Sequence, residues 1–181
     1  MDGLAWPAGR IEARVAGRRD ATDEVFAALT RQNVDGAYRL AWAILRDGAA
    51  ADDATQDAFA IAWRKRSSLR DADRFDAWFG RILVNVCRDR LRASRGGTVR
   101  PLEEAPEPTV GDSSAAISDR DAVGRALDRL DPDHRIVVIL RYWADLQVDD
   151  IAARVGIPAG TVKSRLHAAL KTMRPRLEDP R

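Results

Sequence analysis

Six side chains able to grip a nucleic acid crowd into one short stretch near the end of the chain. In GTVKSRLHAALKTM, Gly160 to Met173, the residues Thr161, Lys163, Ser164, Arg165, His167 and Lys171 alternate with the apolar repeat Val162, Leu166, Ala169 and Met173. The repeat has helical spacing, so Ser164, His167, Ala168 and Lys171 point away from the apolar face, flanked by Thr161, Lys163 and Arg165. Short hydroxyls near a helix start can hold a phosphate, while lysine and arginine reach phosphates or guanine edges. Just upstream, Val148, Ile151 and Val155 repeat at three and four residues, and Gly156 and Pro158 then break the helix. Helix, tight turn and basic helix together have the layout of a helix-turn-helix that reads duplex DNA. The alternative is an amphipathic hairpin whose basic face is merely solvated.

A second basic set lies between Phe75 and Ala93. Arg81, Asn85, Arg88 and Arg92 follow one another at four, three and four residues, with Trp78 at the edge of the stripe. Arginine neutralises phosphate, an amide bonds a base edge and an indole stacks on an exposed base, which suits single-stranded or partly opened DNA. A solvated arginine face, with Trp78 completing the core beside the expected core face of Phe75, Phe79, Ile82, Val86 and Ala93, is the competing reading. Upstream, Asp53, Asp57 and Ile61 recur every four residues, with Thr55, Phe59, Ala62 and Trp63 on another face. An acidic stripe repels DNA but suits a basic protein surface, with Ile61 as an apolar anchor. Asp52 and Asp53 could equally serve the helix dipole.

Those elements must be positioned by a chain of 181 residues, enough for one mid-sized or two small domains. The net charge of +2 hides segregation. Gly160 to Arg181 carries six lysines or arginines against two acids, and Arg81 to Arg95 carries five against one. Two basic patches fit a polyanion touched at two places. Cys87 is the only cysteine, which excludes an internal disulfide, and with His134 and His167 alone it makes no zinc cluster. No metal, cofactor or small-molecule substrate is expected, and no nucleophile with its base or phosphate-binding glycine loop suggests an enzyme. The N-terminus lacks a signal-peptide core and no apolar run reaches membrane-spanning length, so a cytoplasmic protein without direct membrane insertion is expected.

The periodicity predicts an all-α protein of two small helical domains joined by a flexible acidic linker. Helices are expected over Asp23 to Leu45, closed by Asp47-Gly48, over about 50 to 65, and over about 75 to 93, making a first domain of residues 23–94. Residues 95–118, rich in Gly, Pro, Ser and acids, read as the linker. A four-helix domain, 119–177, follows, with Asp131-Pro132 starting one helix and the reading head as its last two. Residues 1–22 read as a disordered extension.

With these residues in view, the chain resembles the extracytoplasmic-function (ECF) sigma factors of bacteria. ADDATQDAFAIAW at Ala51 to Trp63, FDAWFGRILVNVCRDRLR at Phe75 to Arg92 and GTVKSRLHAALKTM at Gly160 to Met173 are similar to that family's regions 2 and 4, in order. The resemblance implies a dissociable subunit of RNA polymerase that selects promoters, with core polymerase, promoter DNA and an anti-sigma factor as partners. It implies that Asp53, Gln56, Asp57, Phe59 and Trp63 belong to the polymerase-docking helix, to which Ile61 adds its apolar anchor, and that Asn85 belongs to the minus-10 element's surface, to which the spacing of the stripe adds Trp78, Arg81, Arg88 and Arg92. Arg66 to Arg74, Arg74 included, matches a loop that accepts a flipped base, and Thr161 to Lys171 matches the helix reading the minus-35 element. The linker matches a segment that threads toward the polymerase active site. Ala54, Thr55 and Ala58 depart from the bulkier aliphatics usual in the docking helix, and Asp149-Asp150 stands where a Glu commonly precedes the Ile-Ala pair. A conventional helix-turn-helix regulator acting without polymerase would need neither an acidic docking helix nor the arginine stripe, and the ordered presence of both DNA-facing patches argues against a module whose basic helices bind an acidic protein.

Overall fold

A computed structural model describes residues 23–96 and 122–178, and all regular structure among them is helical. The expectations for residues 1–22, and for the linker beyond Gly96, lie outside the described residues. The first three helices are α1 (Asp23–Leu45), α2 (Gly48–Arg64) and α3 (Phe75–Gly96). Two short 3-10 turns, Arg66–Ser68 and Ala72–Arg74, join α2 to α3.

Between α1 and α2 the chain reverses in two residues, Arg46 and Asp47. Arg46 adopts a left-handed conformation at φ 56° that ends α1, and the Asp47 carboxylate accepts the Ala50 N–H at 2.8 Å, capping α2. Asp47-Gly48 therefore starts the second helix instead of closing the first. Asp52 and Asp53 consequently fall beyond the first turn of α2, which carries no acid, so the helix dipole gives them little reason to be there.

Ala51, Ala54, Ala58 and Ala62 are fully buried along one face of α2. These small side chains bring the α2 backbone close to α1 and α3, and the buried Thr55 bonds its hydroxyl back to the Ala51 carbonyl at 2.7 Å. An aromatic chain fills what remains. Trp63 meets Phe26 edge-on, Phe26 meets Phe75, Phe75 stacks on Phe79 and Phe79 stacks on Phe59, with ring centroids 4.3 to 5.9 Å apart. On α3 the buried set is Phe75, Phe79, Leu83, Val84 and Cys87. Ile82 and Val86 are only half-buried and Ala93 is exposed, so the core face of α3 is rotated from the one expected.

The second group begins with α4, described over 122–128, and continues through α5 (Pro132–Val138), α6 (Val148–Val155) and α7 (Ala159–Glu178). Asp131 caps α5 by accepting from the N–H groups of Asp133 and His134, with Pro132 at the first helical position as the sequence predicts. A π-helical turn over Ile139–Trp143 extends α5, a feature no periodicity announces. Ile136, Val137 and Leu140 are completely buried and join Ile151, Val162 and Ala169 of the last two helices. α3 also packs on α5 and α6, so the two helical groups meet face to face.

Candidate nucleic-acid interface and docking helix

Gly156 ends α6 in the left-handed conformation, at φ 76° and ψ 38°, and its N–H closes on the Ala152 carbonyl at 2.8 Å. That conformation suits glycine, which has no Cβ to clash. Two residues later the Pro158 carbonyl accepts the N–H groups of Thr161 and Val162 and sets α7 on its new axis. Val162, Leu166, Ala169 and Met173 all face the core, as their spacing predicts. Lys163, Ser164, His167 and Lys171 are exposed on the outer side, while Thr161 and Arg165 are half-buried. Ser164 donates its hydroxyl to the Thr161 carbonyl at 3.0 Å, and the Arg165 guanidinium turns from the outer face to lie 3.2 Å from Asp133.

The α3 stripe is gathered on one side of its helix, with Arg81 and Arg92 exposed and Asn85 and Arg88 half-buried between them. Arg88 Nη1 donates to the Asn85 side-chain oxygen at 2.9 Å, and Arg88 Nε lies 3.1 Å from Asp133. Its side chain keeps 14% of its exposure. Burial holds this guanidinium below the usual arginine range, Asp133 opposes that shift, and the like charges of Arg92 and Arg165 add to it. Arg92 lies 3.2 Å from the same aspartate, and Arg81, exposed, sits against Gly156. Trp78 is half-buried, tilted against Phe75 and donating its indole N–H to the Ser68 hydroxyl at 3.3 Å. Arg74 is exposed and 3.8 Å from Asp71.

On α2, Asp53, Gln56 and Asp57 are exposed together. Arg90 of α3 reaches across to both acids, at 3.7 Å and 2.5 Å. Beside this pair runs a groove of about 420 Å³ between α2 and α3, with Ala60, Ile61 and Val86 as apolar lining and Asp57, Asp89 and Arg90 as its polar rim. The sequence put Ile61 beside the acids; Arg90 was missed, because its partners lie more than thirty residues away on another helix. Phe59 is half-buried, its ring stacked in the core. Trp63 is 42% exposed, with the Arg66 guanidinium 4.1 Å over its ring.

Cys87 is fully buried, and burial pushes its thiol up to about 12, which keeps it protonated and unreactive. Among the described residues no group of three or more His, Cys, Asp or Glu side chains could hold a metal ion, and no helix is long and apolar enough to cross a membrane.

This arrangement coincides with known families at both ends. The family model for sigma-70 region 2 matches residues 29–96, and that for sigma-70 region 4 matches residues 120–173. The chain is 38% identical over 155 residues to the ECF RNA polymerase sigma factor SigM of Mycobacterium tuberculosis, covering 86% of this chain and 76% of that protein. It is 33% identical over 153 residues to the RNA polymerase sigma-E factor of Streptomyces antibioticus, covering 84% of each. Among solved structures, the sigma factor RpoE of Bartonella quintana, in complex with the anti-sigma factor NepR, superposes with a TM-score of 0.64 at 25% identity, covering 86% of this chain and 98% of that one.

Proposed function

The chain belongs to the ECF sigma factors of the sigma-70 family, and on that premise we propose that three of its helix faces divide the work of promoter selection. As a sigma factor it joins RNA polymerase and directs transcription initiation at chosen promoters. The exposed Asp53, Gln56 and Asp57, with the adjoining groove over Ile61 and the rings of Phe59 and Trp63, dock on a basic surface of core polymerase. Arg81, Asn85, Arg88 and Arg92 of α3, with Trp78 and Arg74 beside them, hold the minus-10 element and its opened strand. Thr161, Lys163, Ser164, Arg165, His167 and Lys171 of α7 read the minus-35 element.

The observation that carries this reading is the α7 face. Four apolar residues are buried on one side, and Lys163, Ser164, His167 and Lys171 are exposed on the other, within the residues matched by region 4. The chain divides into residues 23–94 and 119–177 around a linker, a reading supported by family matches over residues 29–96 and 120–173. The relative RpoE superposes while bound to an anti-sigma factor, which supports such a protein as a partner here. The chemistry of RNA synthesis belongs to polymerase, so this chain works without a cofactor or catalytic group of its own, in the cytoplasm where promoter and polymerase are.

Changing Asp53 and Asp57 together to Lys tests the docking face. Both are exposed, so the helical circular dichroism should persist, while capture of core polymerase and promoter-directed transcription are lost. Retained capture at ordinary salt would move docking away from these acids.

A further inference from the structure

One carboxylate ties together arginines from both surfaces assigned to DNA. Asp133, in the first turn of α5, lies 3.1 Å from Arg88, 3.2 Å from Arg92 and 3.2 Å from Arg165. Arg88 and Arg92 come from the α3 stripe and Arg165 from the reading helix α7. Guanidinium groups converging on an oxyanion are what a DNA phosphate would gather. Arg88 also donates to the Val155 carbonyl at 3.4 Å, where the end of α6 presents partial negative charge.

The contact extends from this cluster toward the start of α3, and a further pair lies outside α3. Arg154 of α6, with 6% of its side chain exposed, pairs with Asp76 of α3. Its guanidinium lies over Gly80, where an added Cβ would approach within 2.7 Å. Arg81 sits in the same way against Gly156, and Arg46 at the end of α1 pairs with Asp128 at 3.4 Å. Glycine at 80 and 156 lets side chains of one helical group reach the backbone of the other, and the middle of the stripe, Asn85 and Arg88, is partly covered while Arg81 and Arg92 stay exposed.

We infer that Asp133 is an internal phosphate mimic: in the isolated chain it clasps Arg88, Arg92 and Arg165, closes the second helical group over the α3 stripe, and is displaced by promoter DNA when the chain opens on polymerase. The inference rests on the assignment of these arginines to DNA. A carboxylate competes on fair terms with a single phosphate but poorly with a duplex presenting many, so the clasp favours closure only until a polyanion is held nearby. It needs no inhibitor, because the inhibiting charge is part of the chain.

The test uses the full chain with nitroxide labels on Gln32→Cys and Gln147→Cys, both exposed positions, one in each helical group; buried Cys87 stays unlabelled. Asp133→Asn removes the charge at nearly constant shape, and Gly80→Ala forces Arg154 away without altering any arginine assigned to DNA. Both variants should lengthen and broaden the distance between labels. Asp133→Asn should also bind fluorescein-labelled oligo(dT) on the order of tenfold more tightly than the parent at low salt. If Asp133→Asn does not fold, Gly80→Ala carries both readouts in the same direction. An unchanged distance overturns the clasp, and so does opening without tighter oligo(dT) binding. Transcription by the parent chain with core polymerase reports on the functional reading separately, since failure there leaves the distance measurement intact.

Discussion

At the residue scale, α7 separates two cations that the sequence treats alike. Lys171 is exposed on the outer face, whereas Arg165 is half-buried and lies 3.2 Å from Asp133. Lys171→Ala should therefore weaken use of the upstream element without disturbing the isolated chain. Loss of a base contact would cost about 1 to 3 kcal/mol of discrimination at one position, and loss of a phosphate contact would lower affinity uniformly across sequences. Transcription from a panel of upstream-element variants distinguishes these, and parental activity on every variant would remove Lys171 from the reading surface. The outward direction of Ser164, His167 and Lys171 was legible in the sequence, because a helix of known phase fixes which way its side chains leave. The partner of Arg165 was not. Asp133 lies on a different helix and about thirty residues away, and pattern within one helix carries no information about such a pair.

At the scale of elements, α1 was legible to the residue and α7 by its apolar phase, since long amphipathic segments announce themselves. The start of α2 was misread because Asp-Gly serves both as a stop and as a cap, and the geometry at Arg46 decides between them. The core face of α3 was placed too far round, because Ile82 and Val86 look as apolar as Leu83 and Cys87 and only the packing of α2 ranks them. Ala54, Thr55 and Ala58, departures from the family's usual pattern, are all buried in the packing of α2. Enlarging one of them should cost stability instead of adding apolar contact. Ala58→Leu places three further carbons in a fully buried site and should destabilise the fold by about 1 to 3 kcal/mol. Urea unfolding followed by circular dichroism measures this, and a midpoint equal to or above the parental one would mean that α2 can move away from its neighbours at little cost.

At the scale of the molecule, the sequence yielded two helical groups and two basic surfaces but not their mutual orientation. Each surface was read within a single helix, while the contact between α3 and α6 depends on Gly80, Gly156 and Arg154, residues with no common pattern. In the described arrangement, Arg88, Arg92 and Arg165 converge on Asp133, so the two surfaces proposed for DNA touch each other in the isolated chain. To engage two separated promoter elements at once, the helical groups must part and be held at a fixed distance. Separation alone leaves the second contact dependent on the effective concentration set by the connecting residues, and fixing the distance removes that ordering cost. On the proposed docking of α2, core polymerase would supply that fixed distance. Site-selective promoter binding should therefore be weak for the isolated chain and strong for the chain with core enzyme, as seen in a mobility shift against a scrambled duplex of equal length. The difference should also exceed what core polymerase contributes to binding the scrambled duplex. Tight, site-selective binding by the isolated chain would mean that the two groups separate and find their register without the scaffold, as a regulator independent of polymerase would.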